Sequence, residues 1–198
     1  MDIGTIGAST SHLRYLCRVF GQRDVAQPPT ADDHGVGAFV SIALPSDRER
    51  KLIGIIADSI LINPEYGNYG PRLSSAEELT IFSPDALDER GILVVIQVLG
   101  YVDEHGPHHD IPPWTAHAGA LVSTLTAEDV IAFHRAPDGS FMMGYQPRMI
   151  QANDVILSSI LLNTIERLAP SFPDQTDLLG LLRETLAWQT AIGPMART

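Results

Sequence analysis

Five apolar, β-branched runs follow one another along the first two-thirds of the chain, and their spacing constrains the fold more tightly than any other feature. "HLRYLCRVF" (His12 to Phe20) sets Leu13, Tyr15, Cys17 and Val19 against His12, Arg14, Leu16 and Arg18. That near period of two predicts a half-buried strand. "GVGAFVSIAL" (35–44), "LIGIIADSILI" (52–62), "ILVVIQVLGYV" (92–102) and "GALVSTL" (119–125) are further runs bounded by Gly, Pro and Asp. Parallel neighbours need a crossover of about a dozen residues or more, usually helical. The strands here are too many and too close for that, so the pattern predicts a small antiparallel barrel or sandwich. Gly37, Gly54 and Gly100 sit inside these runs, where a closed barrel bends or lets backbones approach, although ordinary bulges account for them equally well.

The segment between the third and fourth of the long runs, "NPEYGNYGPRLSSAEELTIFSPDALDERG", reads as a long excursion with one helical turn at Ser75 to Leu79. After residue 125 the period changes. "TAEDVIAFHR" has Thr126 as N-cap and acids in its first turn, where they complement the helix dipole. "PDGSFMMGYQPR" follows as a turn and an extended segment. Two helices are expected from about Asn153, "NDVILSSILLNTIERLAP" and "DQTDLLGLLRETLAWQTAIGP", the second closed by Gly193 and Pro194. The first is apolar nearly all round from Val155 to Leu162, which predicts burial against the barrel or a partner chain. The second sets Leu178, Leu182 and Leu186 in one row with Leu181, Trp188 and Ile192 near it, a stripe that serves as intramolecular core or as a docking surface.

Thirteen Lys and Arg against 24 Asp and Glu give a formal net charge of −11 over 198 residues. A surface that acidic repels phosphate backbones and anionic lipid, so direct nucleic-acid binding is not expected. No apolar run reaches the roughly 18 residues of a membrane helix. The single cysteine, Cys17, excludes an intrachain disulfide, and "MDIGTIGAST" lacks the charged and apolar regions of a secretory leader, so a cytoplasmic location is expected.

Motifs for chemistry are sparse. There is no phosphate-binding G-x-x-x-x-G-K-[ST] and no G-x-S-x-G elbow, and Cys17 lies mid-strand as an inert thiol. "DEHGPHHDIPPWTAH" (Asp103 to His117) is the one candidate metal centre. His105, His108, His109 and His117, with Asp103, Glu104 or Asp110, are the ligand types that zinc or another divalent cation takes. Against this, prolines break the segment, and adjacent His108 and His109 point to opposite sides if it is extended. The same stretch carries Trp114 among prolines, a composition that fits an interface anchor or a plug for the barrel end.

The glycine-then-strand "GAFVSI", the strand ending in an acid "LIGIIADS", the strand-glycine-turn "VLGYVDEHG", and "PPWTAHAGALV" together resemble the HAS barrel. That six-stranded domain opens HerA-type hexameric DNA translocases and rotary ATP synthase subunits, and "FMMGYQPR" is similar to the segment leading out of it. The resemblance covers residues 3 to 148 and implies a closed antiparallel β-barrel over residues 1–148. Residues 149–198 form a C-terminal helical extension, giving a mainly β chain that is α+β overall. Where those translocases continue into a P-loop, this chain continues into "MIQANDVILSSILLNTIERL", so no catalytic residue carries over. What the resemblance implies is assembly, since HAS barrels form rings and those of HerA proteins dock a nuclease.

The expected function is therefore a non-enzymatic assembly or interaction module without a cofactor, accessory to a HerA-type translocase or nuclease system. It self-associates or binds a protein partner through Trp114, Leu178, Leu182, Leu186 and Trp188. The alternative is a small metal-dependent enzyme using the histidine loop. A small ligand in the barrel mouth is a third possibility.

Overall fold

A computed structural model of the protein describes residues 1–44, 47–63, 91–152 and 154–192. The helical turn expected at Ser75–Leu79 and the Gly193–Pro194 stop lie outside them. The strands are β1 (Asp2–Ser11), β2 (Arg14–Val19), β3 (Phe39–Leu44), β4 (Asp47–Ile62), β5 (Gly91–Asp103), β6 (Gly106–His108) and β7 (Leu121–Thr124). The helices are α1 (Ala127–Phe133), α2 (Gln146–Gln151), α3 (Val155–Leu168) and α4 (Thr176–Ile192), with two short 3-10 turns between α3 and α4.

Six strands close a ring in the order β2, β1, β7, β3, β4, β5 and back to β2, every pairing antiparallel, while β6 extends β5 outside the ring. The chain is thus a small closed antiparallel β-barrel with C-terminal helices. The strand that completes the ring is β1, from the Gly- and Thr-rich N-terminus, which the apolar runs do not reveal.

Alternation explains the near-continuous apolar runs. Val40, Ile42, Leu52, Ile56, Val94, Ile96 and Val98 point into the barrel with Ile3, Ile6, Tyr15, Cys17 and Val122. The opposite faces of the same strands, Phe39, Ile53, Ile55, Ala57 and Leu99, are buried in a second core. That core is supplied by Val130, Phe133, Tyr145, Met149, Leu157, Ile160, Leu161, Ile165, Leu179 and Leu186, so the helices cover the outer face of their own barrel. Strands buried on both faces lose the polar half of the period.

Two glycines sit where neighbouring strands leave no room for a side chain. A Cβ on Gly54 would lie 2.5 Å from Ile96 Cγ2, beside a register shift in the β4–β5 ladder, and a Cβ on Gly100 would lie 2.0 Å from the His108 carbonyl oxygen. Here the backbone of β6 folds onto β5 with no room for a side chain.

Helix α1 starts as its sequence predicts. Thr126 Oγ1 accepts from the Asp129 N–H, and the Asp129 carboxylate accepts from the Thr126 N–H at 3.3 Å, a reciprocal capping box. "PDGSFMMGYQPR" departs from the expected extended segment: an isolated bridge pairs Arg135 with Phe141, and α2 begins at Gln146. Helix α3 is capped by Asp154, whose carboxylate accepts from the Ile156 N–H. Val155 and Ile156 are exposed while Leu157, Ile160 and Leu161 are buried, so the apolar start of α3 is only partly covered.

Candidate functional site

The histidine stretch does not converge. Asp103 Oδ1 holds His108 Nε2 at 2.9 Å, with His105 Nδ1 at 3.7 Å, and accepts from the His105 N–H. His108 also stacks on Tyr101 across the β5–β6 turn, with ring centroids 4.6 Å apart. Partial desolvation pulls against ionisation of Asp103, but the hydrogen bonds from His105 and His108 outweigh it and hold the carboxyl below its ordinary value. His109, next in an extended chain, points the other way and is buried, while His117 is exposed. Among the described residues no three His, Cys, Asp or Glu side chains gather as a potential ligand set. The structure does not bring His105, His108, His109 and His117 to one point, because alternation along the strand separates neighbours in sequence.

The rest of the stretch is pinned over the β1–β2 hairpin. His12 Nε2 lies 2.7 Å from the Pro112 carbonyl, and the Ala116 N–H donates to the Tyr15 hydroxyl. Trp114 is half-buried against the barrel core, edge-on to Tyr101 at 5.2 Å and beneath the Arg50 guanidinium at 4.8 Å. These contacts fit the plug reading. The described side chains pack the barrel interior; an open cavity of about 600 Å³ lies beside α3 and another of about 450 Å³ beside the start of α1, the two sharing Val36, Gly37 and Arg167.

His109 belongs to a cluster that sequence motifs do not disclose. Its Nδ1 lies 2.9 Å from the Gly144 nitrogen, and its Nε2 lies 3.0 Å from the Phe133 carbonyl oxygen. A backbone N–H only donates and a carbonyl only accepts, so the proton sits on Nε2. His134, at the C-cap of α1 and fully buried, donates from Nδ1 to the Val130 carbonyl at 2.7 Å. Its Nε2 then accepts from the Tyr145 hydroxyl, also at 2.7 Å. The two imidazoles are 5.7 Å apart among Phe39, Phe133, Phe141 and Tyr145. Burial pushes both imidazoles down to about 4 and raises the Tyr145 phenol. Every ring nitrogen is used within the fold, which leaves neither ring free to act on a substrate. The only hint in the sequence is the pair "FHR" and "MMGYQP", joined by no spacing rule.

The remaining candidate is the outer face of α4. At about 100° per residue, Leu179, Leu182 and Leu186 occupy one narrow arc, and they pack into the second core. Leu178, Leu181 and Trp188 occupy the adjoining arc and face solvent, Leu181 62% and Trp188 64% exposed. The row expected from Leu178, Leu182 and Leu186 is therefore divided. Leu186 is 1% exposed and Leu182 is packed inside, so neither is available to a partner, whereas Leu178 and Trp188 are. Asp177 and Glu184, both exposed, border the outer arc on the side away from the core. Among the described residues no helix is long and apolar enough to cross a membrane.

The model of a family described as a domain of unknown function (DUF8166) matches residues 1–196. No curated protein matches the chain.

Proposed function

We propose that this chain, which belongs to the DUF8166 family, is a non-enzymatic assembly or interaction module that docks a protein partner on the outer face of α4. The observation that carries this reading is the half-covered apolar arc. The helix buries Leu179 and Leu186 completely yet leaves Leu178, Leu181 and Trp188 in solvent. Covering a Leu or comparable side chain is worth about 1.5–3 kcal/mol, and exposed Trp and Leu at helical spacing are what a helix-docking partner uses as anchors.

Charge selects the partner. In a two-fold antiparallel pairing of α4 with a second copy, the Asp177 and Glu184 borders of both helices fall on the same side of the seam. Each chain also carries a net charge of −11. A segment with an apolar stripe edged by Lys or Arg is therefore the better complement. The HAS-barrel resemblance adds a class of partner to test, a HerA-type DNA translocase or its nuclease. The variant Leu181→Glu tests the reading. Leu181 is outside the core, so thermal stability stays within about 0.5 kcal/mol of wild type. Co-purification of the partner from the native cell is lost. Retention of the partner by Leu181→Glu would contradict the docking face.

A further inference from the structure

We propose that His109 and His134 form an acid-sensitive clasp on Gly144–Tyr145, and that protonating them releases residues 136–152 from the barrel while the barrel stays folded. The geometry is a double grip on two consecutive residues. His109, from the stretch after β6, holds the Gly144 N–H, and His134, from the end of α1, holds the Tyr145 hydroxyl. Both grips use an imidazole nitrogen as acceptor, the role a proton abolishes.

Protonated His109 turns an N–H toward the Gly144 N–H, and a backbone donor cannot reverse itself. The space does not relax the conflict, because a Cβ on Gly144 would already lie 3.1 Å from His109 Cβ. Protonated His134 becomes a donor to the Tyr145 oxygen, and the hydroxyl's own hydrogen must then turn away into its apolar surroundings. Among the described residues no carboxylate caps either ring. Arg148 and His108 oppose a charge on His109, and the exposed Asp110 favours one; His109 and Arg167 oppose a charge on His134. The fall of both imidazoles to about 4 agrees with this arrangement. What the grip retains is apolar: Phe141, Met143, Tyr145 and Met149 are all buried in the second core. Of the polar anchors on this segment, Arg148 donates to the Leu99 carbonyl and Gln175 accepts from the Phe141 N–H.

The test is amide hydrogen exchange of the full chain at pH 7 and pH 5, corrected for intrinsic rates. Protection of residues 136–152 should fall at least about tenfold while β3, β4 and β5 keep theirs. The doubly substituted His109→Asn, His134→Gln protein keeps an acceptor near each position and should show no such fall. Equal protection at both pH values, loss of segment and barrel together, or an unchanged fall in the double variant would each overturn the clasp. If that variant does not fold, NMR of the wild-type imidazoles decides. In the closed state His109 Nδ1 and His134 Nε2 should stay unprotonated at pH 5, and protonated rings beneath a still-protected segment would overturn the proposal.

Discussion

Replacing His134 by Leu and Tyr145 by Phe, singly and together, forms a double-mutant cycle whose outcome follows from the donors and acceptors at the clasp. Tyr145→Phe leaves His134 Nε2 fully buried with no donor, and His134→Leu leaves the Tyr145 hydroxyl in the same position. Stranding one buried partner costs about 1–3 kcal/mol, whereas removing both together is nearly neutral in hydrogen bonding. The other hydrogen bond of His134 hardly enters the balance, because its acceptor, the Val130 carbonyl, also receives the His134 backbone N–H. His134→Leu loses ring contacts as well, so it is the costlier single change. The double variant should cost less than His134→Leu alone, and the two single losses should exceed the double loss by about 2–6 kcal/mol, one stranding penalty for each single change. Urea unfolding at pH 7.5 measures this. With a slope of 1–3 kcal/mol per molar urea, Tyr145→Phe should lower the midpoint by about 1 M. Strict additivity, or a Tyr145→Phe midpoint equal to wild type, would refute the bond.

Acid should weaken the fold in a defined window. His109 and His134 are neutral when folded and take up protons in the unfolded chain near the ordinary value of 6.5, so their contribution is complete above pH 6.5 and is lost as pH falls toward about 4. At pH 5 the loss is about 2 kcal/mol per ring, limited by the free energy that keeps the clasp shut, and unfolding curves from pH 8 to 5 read it. A flat profile over that range would contradict the burial of both rings. Gly100→Ala places a methyl against the His108 carbonyl and should cost about 3 kcal/mol, separating β6 from β5. A calorimetric midpoint equal to wild type would rule out the close approach. Burial pushes the Cys17 thiol up to about 12, so Ellman's reagent at pH 8 should label it only as fast as the barrel opens. Labelling within seconds in native buffer would show the thiol to be accessible.

What the sequence disclosed and what it concealed divide along physical lines. The alternation of Tyr15, Cys17 and Val19 was legible because β2 has one buried face and a strict period. The N-cap Thr126 was legible because capping is decided within four residues. Strand β1 was not, since its buried Ile3 and Ile6 are three apart, with a register shift against β7 between Asp2 and Gly4. The histidine stretch misled for the opposite reason. Closeness in sequence suggested a ligand set, and alternation sent His108 to Asp103 and His109 to the helical layer. His134 and Tyr145 meet only after α1 and the turn before α2 pack together, a contact with no local signature. In α4 the helical period was legible, but which arc the barrel leaves bare depends on how α3 and the second core seat the helix.

The docking face on α4 is tested most directly by placing a photo-crosslinking amino acid at Leu181, on the bare arc, and at Glu128, exposed on α1, in cells that natively contain the protein. Position 181 should give one discrete adduct and position 128 none, with the captured peptide mapping to a basic amphipathic segment. Equal, diffuse labelling from both positions would contradict the claim that α4 is where this module meets its partner.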